Sequence, residues 1–115
     1  MRHSNANRKF GRVRKQRKAL LNSLARSLVL HDKIETTEEK AKELRPFIEK
    51  IITRGRIDNV ANRRLVTEKV GSLATKKVFD TLSKNYTKRN GGYTRIIKAG
   101  RKLSDGSKRA IIQFV

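Results

Sequence analysis

Apolar residues in this chain fall into runs of clear period. Leu20, Leu21, Leu24 and Leu28 recur at helical spacing with Ala25 beside them, which predicts a helix from about Lys15 to Leu30. "KIETT" (33–37) follows, with β-branched Ile34, Thr36 and Thr37, and reads as a short strand. Ala41, Leu44, Phe47, Ile48, Ile51 and Ile52 then mark one face of a second helix, from Glu38 to about Arg54. Thr36 and Glu39 fit a capping box, or Thr37 caps directly, and Glu38 and Glu39 suit the positive end of the helix dipole. Pro46 lies inside this pattern and is expected to kink the helix or split it at Arg45; because the periodicity runs through, one kinked helix is expected.

Beyond it, Asp58 is placed to cap a short third helix carrying Val60, Leu65, Val66 and Val70 and ending at Gly71. Ser72 is placed to cap a fourth, with Leu73, Val78, Phe79 and Leu82 inward. "NGG" at 90–92 signals a turn, and "YTRIIK" (93–98) and "AIIQFV" (110–115) read as strands. Joined by "AGRKLSDGSKR" (99–109), they predict an antiparallel hairpin with a long basic loop. The fold class expected is α+β: about four helices packed on a small, roughly three-stranded sheet with a C-terminal hairpin. Residues 1–14 read as a basic extended N-terminal arm, and residues 15–115 as a single globular domain.

Charge changes the picture more than composition does. The 115 residues hold 30 Lys or Arg against 10 Asp or Glu, a net charge of +20. Residues 1–20 contribute 8 basic and no acidic side chains, and residues 84–115 contribute 9 basic against 1 acidic. Residues 32–83, by contrast, are nearly balanced, with 12 basic and 9 acidic. The middle is composed like an ordinary globular domain and the two ends like binding surface. Self-repulsion on this scale calls for a polyanionic partner. The apolar runs are too short to span a membrane, and a membrane partner is not expected. Cysteine is absent, which excludes a disulfide framework and Cys-based metal sites, and a cytosolic setting is the default.

The candidate RNA-binding residues follow from this split. The arm offers Arg2, His3, Arg8, Lys9, Arg12, Arg14, Lys15, Arg17 and Lys18, with amides interleaved in a manner suited to phosphate and sugar contacts. The C-terminal region offers Arg89, Tyr93, Arg95, Lys98, Arg101, Lys102, Lys108 and Arg109. Tyr93 beside Arg95 suits stacking on a base or ribose, and equally suits covering the edge of the core. "VANRRL" puts Asn62, Arg63 and Arg64 on a helix, but without helix-turn-helix spacing it reads as an exposed face. His3 and His31 lack the spacing of a nucleophile or metal site. No catalytic residue, metal, cofactor or small-molecule substrate is expected.

"RKALLNSLARSLVLHDKIETTEEKAKELRPFIEKIIT" (17–53), "NVANRRLV", "NGGYTRIIK" and the closing "AIIQFV" occur in the order found in one family. Together they resemble the bacterial large-subunit ribosomal proteins numbered seventeen, over essentially the whole chain. The opening "MRH" also fits that family's start, so no transit peptide is expected ahead of it. Glu38-Glu39 stands where many relatives have Leu-Pro, which implies a slightly different helix start. The resemblance implies a non-catalytic structural constituent of the 50S subunit, cytoplasmic and ribosome-bound. Its implied partners are 23S rRNA and neighbouring large-subunit ribosomal proteins, near the peptide exit region. On residues alone, a free-standing nucleic-acid binder of the RNA-chaperone or nucleoid type is the alternative.

Overall fold

The computed structural model describes residues 13–115. The arm candidates Arg2, His3, Arg8, Lys9 and Arg12 lie outside the described residues. Helix α1 (Arg14–His31) leads into strand β1 (Lys33–Thr37), helix α2 (Glu38–Gly55) and helix α3 (Val60–Lys77). The helical path continues through a π-helical turn, Val78–Leu82, and a last α-helical turn, Ser83–Asn85. Strands β2 (Thr94–Arg101) and β3 (Lys108–Phe114) close the fold. The three strands form one antiparallel sheet in the order β1-β3-β2. The expected α+β class is found.

Local chemistry explains most boundaries. α1 ends because Asp32 adopts a left-handed conformation (φ 67°) and returns its N–H to the Leu28 carbonyl. Thr37 caps α2 directly, its Oγ1 accepting from the Lys40 N–H at 3.3 Å, whereas Thr36 is buried in the strand. α2 then runs unbroken through Pro46, since packing of its apolar face outweighs the one hydrogen bond proline removes. The cap of α3 is Asn59, one residue beyond the expected Asp58, and its Oδ1 accepts from the Asn62 N–H at 2.8 Å.

α3 consists of two helical segments that meet at a kink where Gly71 takes φ 84° and ψ 168°, the boundary expected from the sequence. Glycine adopts that conformation without a Cβ clash, and the Thr75 hydroxyl donates to the Gly71 carbonyl at 2.7 Å. The break rotates the apolar face. Val66, Val70, Ala74, Val78 and Phe79 are buried, while Val60, Leu65 and Leu73, expected inward, are exposed.

α2 is the centre of the core. It packs against all three strands on one side and against α1 and α3 on the other. Leu44, Ile48, Ile51 and Ile52 are fully buried there with Leu28, Ala110 and Ile112. Gly55 permits the closest approach. A Cβ at that position would sit 2.7 Å from Val78 Cγ1 and collide with the Ser83 hydroxyl, which donates to the Ile52 carbonyl at 3.1 Å.

The hairpin departs from expectation in length. Strand pairing continues through Arg101 and Lys108, so the turn spans residues 102–107 rather than 99–109. The register shifts between Lys98 and Gly100, which leaves Ala99 as a bulge, and Gly100 takes φ 86°. "KAGRK" looks like loop because Ala and Gly are poor strand formers; the bulge absorbs them without ending the ladder.

Candidate nucleic-acid interface

The hairpin has two ends of opposite character. At the end nearest the core, α2 grips the chain that enters β2. Glu49 accepts from the Gly92 N–H at 2.9 Å and from the Thr94 hydroxyl at 3.1 Å, while Arg45 donates to it from the same helix at 3.3 Å. Arg56 donates to the Thr87 carbonyl at 2.8 Å and to Asn90 Oδ1 at 3.2 Å. Tyr93 lies beneath, its hydroxyl donating to the Arg89 carbonyl at 3.1 Å and standing 3.2 Å from Thr53 Oγ1. Its ring centroid is 5.0 Å from that of Tyr86, whose hydroxyl donates to the Val115 carbonyl at 2.8 Å. "NGGYT" is therefore a clamped structural turn.

At the far end the hairpin becomes a two-stranded ribbon beyond the reach of β1, whose pairing stops at Arg109. Residues 97–106 are all exposed. Lys98, Arg101, Lys102 and Lys108 form no ion pair among the described residues, and Arg101 stands directly opposite Lys108. Arg109 reaches Glu35 only at 4.0 Å. Asp105, the one acid in the turn, is exposed and bonded to the turn itself. It accepts from the Ser107 N–H at 3.0 Å, and that bond, with the Ser107 hydroxyl and nearby cations, holds its carboxyl below the ordinary range.

Alternation along β2 separates two candidates that sequence alone grouped together. Arg95 projects from the sheet face away from α2, in register with Gln113 and Lys33. Lys98 projects from the opposite face, towards the start of α2. There a cleft of about 570 Å³ is lined by Thr37, Glu38, Glu39, Lys40, Lys42, Ser107 and Lys108. Glu38 pairs with Lys42 at 3.0 Å, and that hydrogen bond, assisted by Lys98 and Lys108, holds its carboxyl below the ordinary range. Lys40 joins Lys108 at this cleft although it belongs to the nearly neutral middle. No local signal marks it, because the two lysines are 68 positions apart.

On α1, Arg14, Lys15 and Lys18 are exposed and Arg17 is half-buried. The first turn holds no acidic residue, and Val13 supplies no side-chain cap. The first turn itself therefore offers no acid to offset its positive charge, to which the dipole adds. Arg89 is exposed beside the clamped turn. Tyr93 corrects the expectation of a stacking platform: at 0% exposure it offers no ring face to a base and is a core residue. Arg63 is also structural. It holds Asp58 through two bonds of 2.6 and 2.9 Å, approaches Asp80 at 3.6 Å and lies 4.8 Å over the Phe79 ring.

Among the described residues, no group of three or more His, Cys, Asp or Glu could hold a metal ion. No helix among them is long and apolar enough to cross a membrane. Among the described residues the molecule is thus a small α+β fold in which acids such as Asp32, Glu38, Glu49 and Asp58 are held in internal ties, while exposed cations gather on a helix start and a ribbon.

That description meets the comparisons with known proteins: the chain belongs to the family described as ribosomal protein L17, whose model matches residues 20–115. It is 47% identical to the large ribosomal subunit protein bL17 of Novosphingobium aromaticivorans, over all of this chain and 82% of that relative. It is likewise 47% identical to the bL17 of Sphingopyxis alaskensis, over 84% of the relative, and 45% identical to that of Rhodopseudomonas palustris, over 86%.

Proposed function

We propose that this chain is a non-catalytic structural constituent of the large ribosomal subunit, and that it contacts 23S rRNA through its N-terminal basic segment and the β2–β3 ribbon. The observation that carries this reading is the excess of positive charge on the ribbon, where Arg101 stands opposite Lys108 and neither forms an ion pair among the described residues. Phosphates supply that relief, and each one neutralised releases counterions, so the affinity for rRNA depends steeply on salt. The names of the relatives supply the particle. Neighbouring large-subunit proteins cover part of the remaining surface, and the working compartment is the cytoplasm.

The test is sedimentation of native lysate on a sucrose gradient at low magnesium after a moderate salt wash. The chain is expected to travel with the large subunit. Recovery at the top of the gradient, or spread with chromosomal DNA, would instead support a free-standing nucleic-acid binder. Deleting residues 1–14 is expected to weaken rRNA binding while leaving the helical circular-dichroism signal in place.

A further inference from the structure

The tip of the ribbon carries a residue that its cations do not explain. Leu103 is 104% exposed, the most exposed of the large apolar side chains among the described residues. It sits on a turn built to hold a fixed shape. The Lys102 N–H donates to the Ser107 carbonyl at 2.8 Å, and the Gly106 N–H donates to the Lys102 carbonyl at 2.8 Å. Asp105 closes the turn on Ser107, and Gly106 takes φ 71°. None of these bonds involves the Leu103 side chain, so the turn neither needs it nor covers it.

The neighbours of Leu103 identify its partner. Arg101 and Lys108 face each other across the strands, a pairing that costs stability in isolation. Lys102 adjoins them, and Asp105 is occupied within the turn. An apolar side chain on a hydrogen-bonded turn, flanked by cations that form no ion pair among the described residues, combines the two elements of an intercalating contact: a wedge that enters a base stack and charges that hold the phosphates on either side. Folded RNA offers such places at bulges and loops, where bases are already partly unstacked.

We propose that Leu103 is an apolar wedge that the hairpin inserts between unstacked bases of folded RNA, with Arg101, Lys102 and Lys108 gripping the adjoining phosphates. The inference rests on the RNA-binding reading above and adds a contact to the bases themselves.

The test uses the full chain and an in-vitro transcript of the large-subunit rRNA, with 2′-hydroxyl acylation read at each nucleotide. The wild type is expected to raise reactivity at a short cluster of nucleotides beside a protected backbone. Leu103→Ala is expected to abolish that rise and to weaken binding about tenfold, the scale set by losing most of a buried leucine. Backbone protection by the cations should survive in this variant, and Leu103→Met should keep the rise. Because Leu103 contacts nothing in the fold, circular dichroism should be the same for all three proteins. Identical reactivity and affinity for wild type and Leu103→Ala would overturn the proposal. A loss that arises only when another ribosomal protein is present would also overturn it, and would assign Leu103 to a protein pocket. Failure of the wild type to bind the transcript would overturn the RNA reading itself, and this inference with it.

Discussion

The two ends of the β2–β3 hairpin share a backbone ladder and little else. At the core end, Thr94, Tyr93 and Ile112 are buried, and Glu49, Arg56 and Tyr86 tie the chain down. At the far end, five positive side chains, Lys98, Arg101, Lys102, Lys108 and Arg109, project from a ribbon whose residues 97–106 are all exposed. Stability and charge are thus divided along one element. A cation on the inner face of the core end would lie beside buried groups and lose its hydration, and the one cation of β2 there, Arg95, stands exposed on the outer face. The division also predicts that mutations at the two ends fail different assays.

The largest effect expected on stability is at the core end. Ile112→Ala removes a fully buried side chain from the central strand and should cost about 2–5 kcal/mol in denaturant unfolding. Gly55→Ala should cost about 1–3 kcal/mol, because the added methyl displaces Ser83 from the Ile52 carbonyl. Glu49→Ala releases the Gly92 and Thr94 donors and should cost roughly 2 kcal/mol. An unchanged midpoint for Glu49→Ala would show that the turn holds itself.

The far end should behave in the opposite way. Replacing Arg101, Lys102 and Lys108 together with Ala should leave the unfolding midpoint unchanged or slightly raised, since a like-charge pair is removed. The slope of log affinity for rRNA against log salt should become shallower by about 2–3, one contact per cation. If this variant unfolded readily, the ribbon would be part of the core's support and the contrast would collapse.

The smallest effect concerns acid. The hydrogen bond from Arg63 holds the Asp58 carboxyl below its ordinary 3.8 in the folded chain. In the unfolded chain Asp58 takes up its proton near 3.8, while the folded chain takes it up only at lower pH. Between those values the unfolded state holds more protons, so stability falls as pH drops below about 4. Asp58→Asn should make that fall shallower in thermal melts across the acid range.

How far these features are legible from residues alone depends on the distance over which they are determined. α1, α2 and the three strands are readable because each is fixed by its own periodicity and by caps such as Thr37. The clamp on "NGGYT" is not, since Glu49 meets Gly92 across 43 positions and its spacing on α2 looks like that of any solvated glutamate. Tyr93 is ambiguous in the sequence for the same reason: its depth is set by Thr53 and Tyr86, from other elements. The sequence reads as loop over 99–109 because Ala99 and Gly100 resemble turn chemistry, while a bulge is visible only in the pairing. The arm candidates at residues 2–12 lie outside the described residues, and their role stands on charge and family alone.

The strand order has a consequence for how the chain is made. β3 lies in the middle of the sheet yet is the last described element to leave the ribosome that synthesises it. Lys33 pairs with Gln113, 80 positions later, so β1 waits through most of translation for its neighbour. β2 has no neighbour before β3 either, and the hydrogen-bonding edges of both strands stay unpaired until then. Helices α1 to α3 can assemble earlier through their mutual contacts, while the sheet closes in one late, long-range step. A nascent chain stalled before Lys108 should therefore present a helical cluster with two orphan strands, vulnerable to protease at residues 94–101.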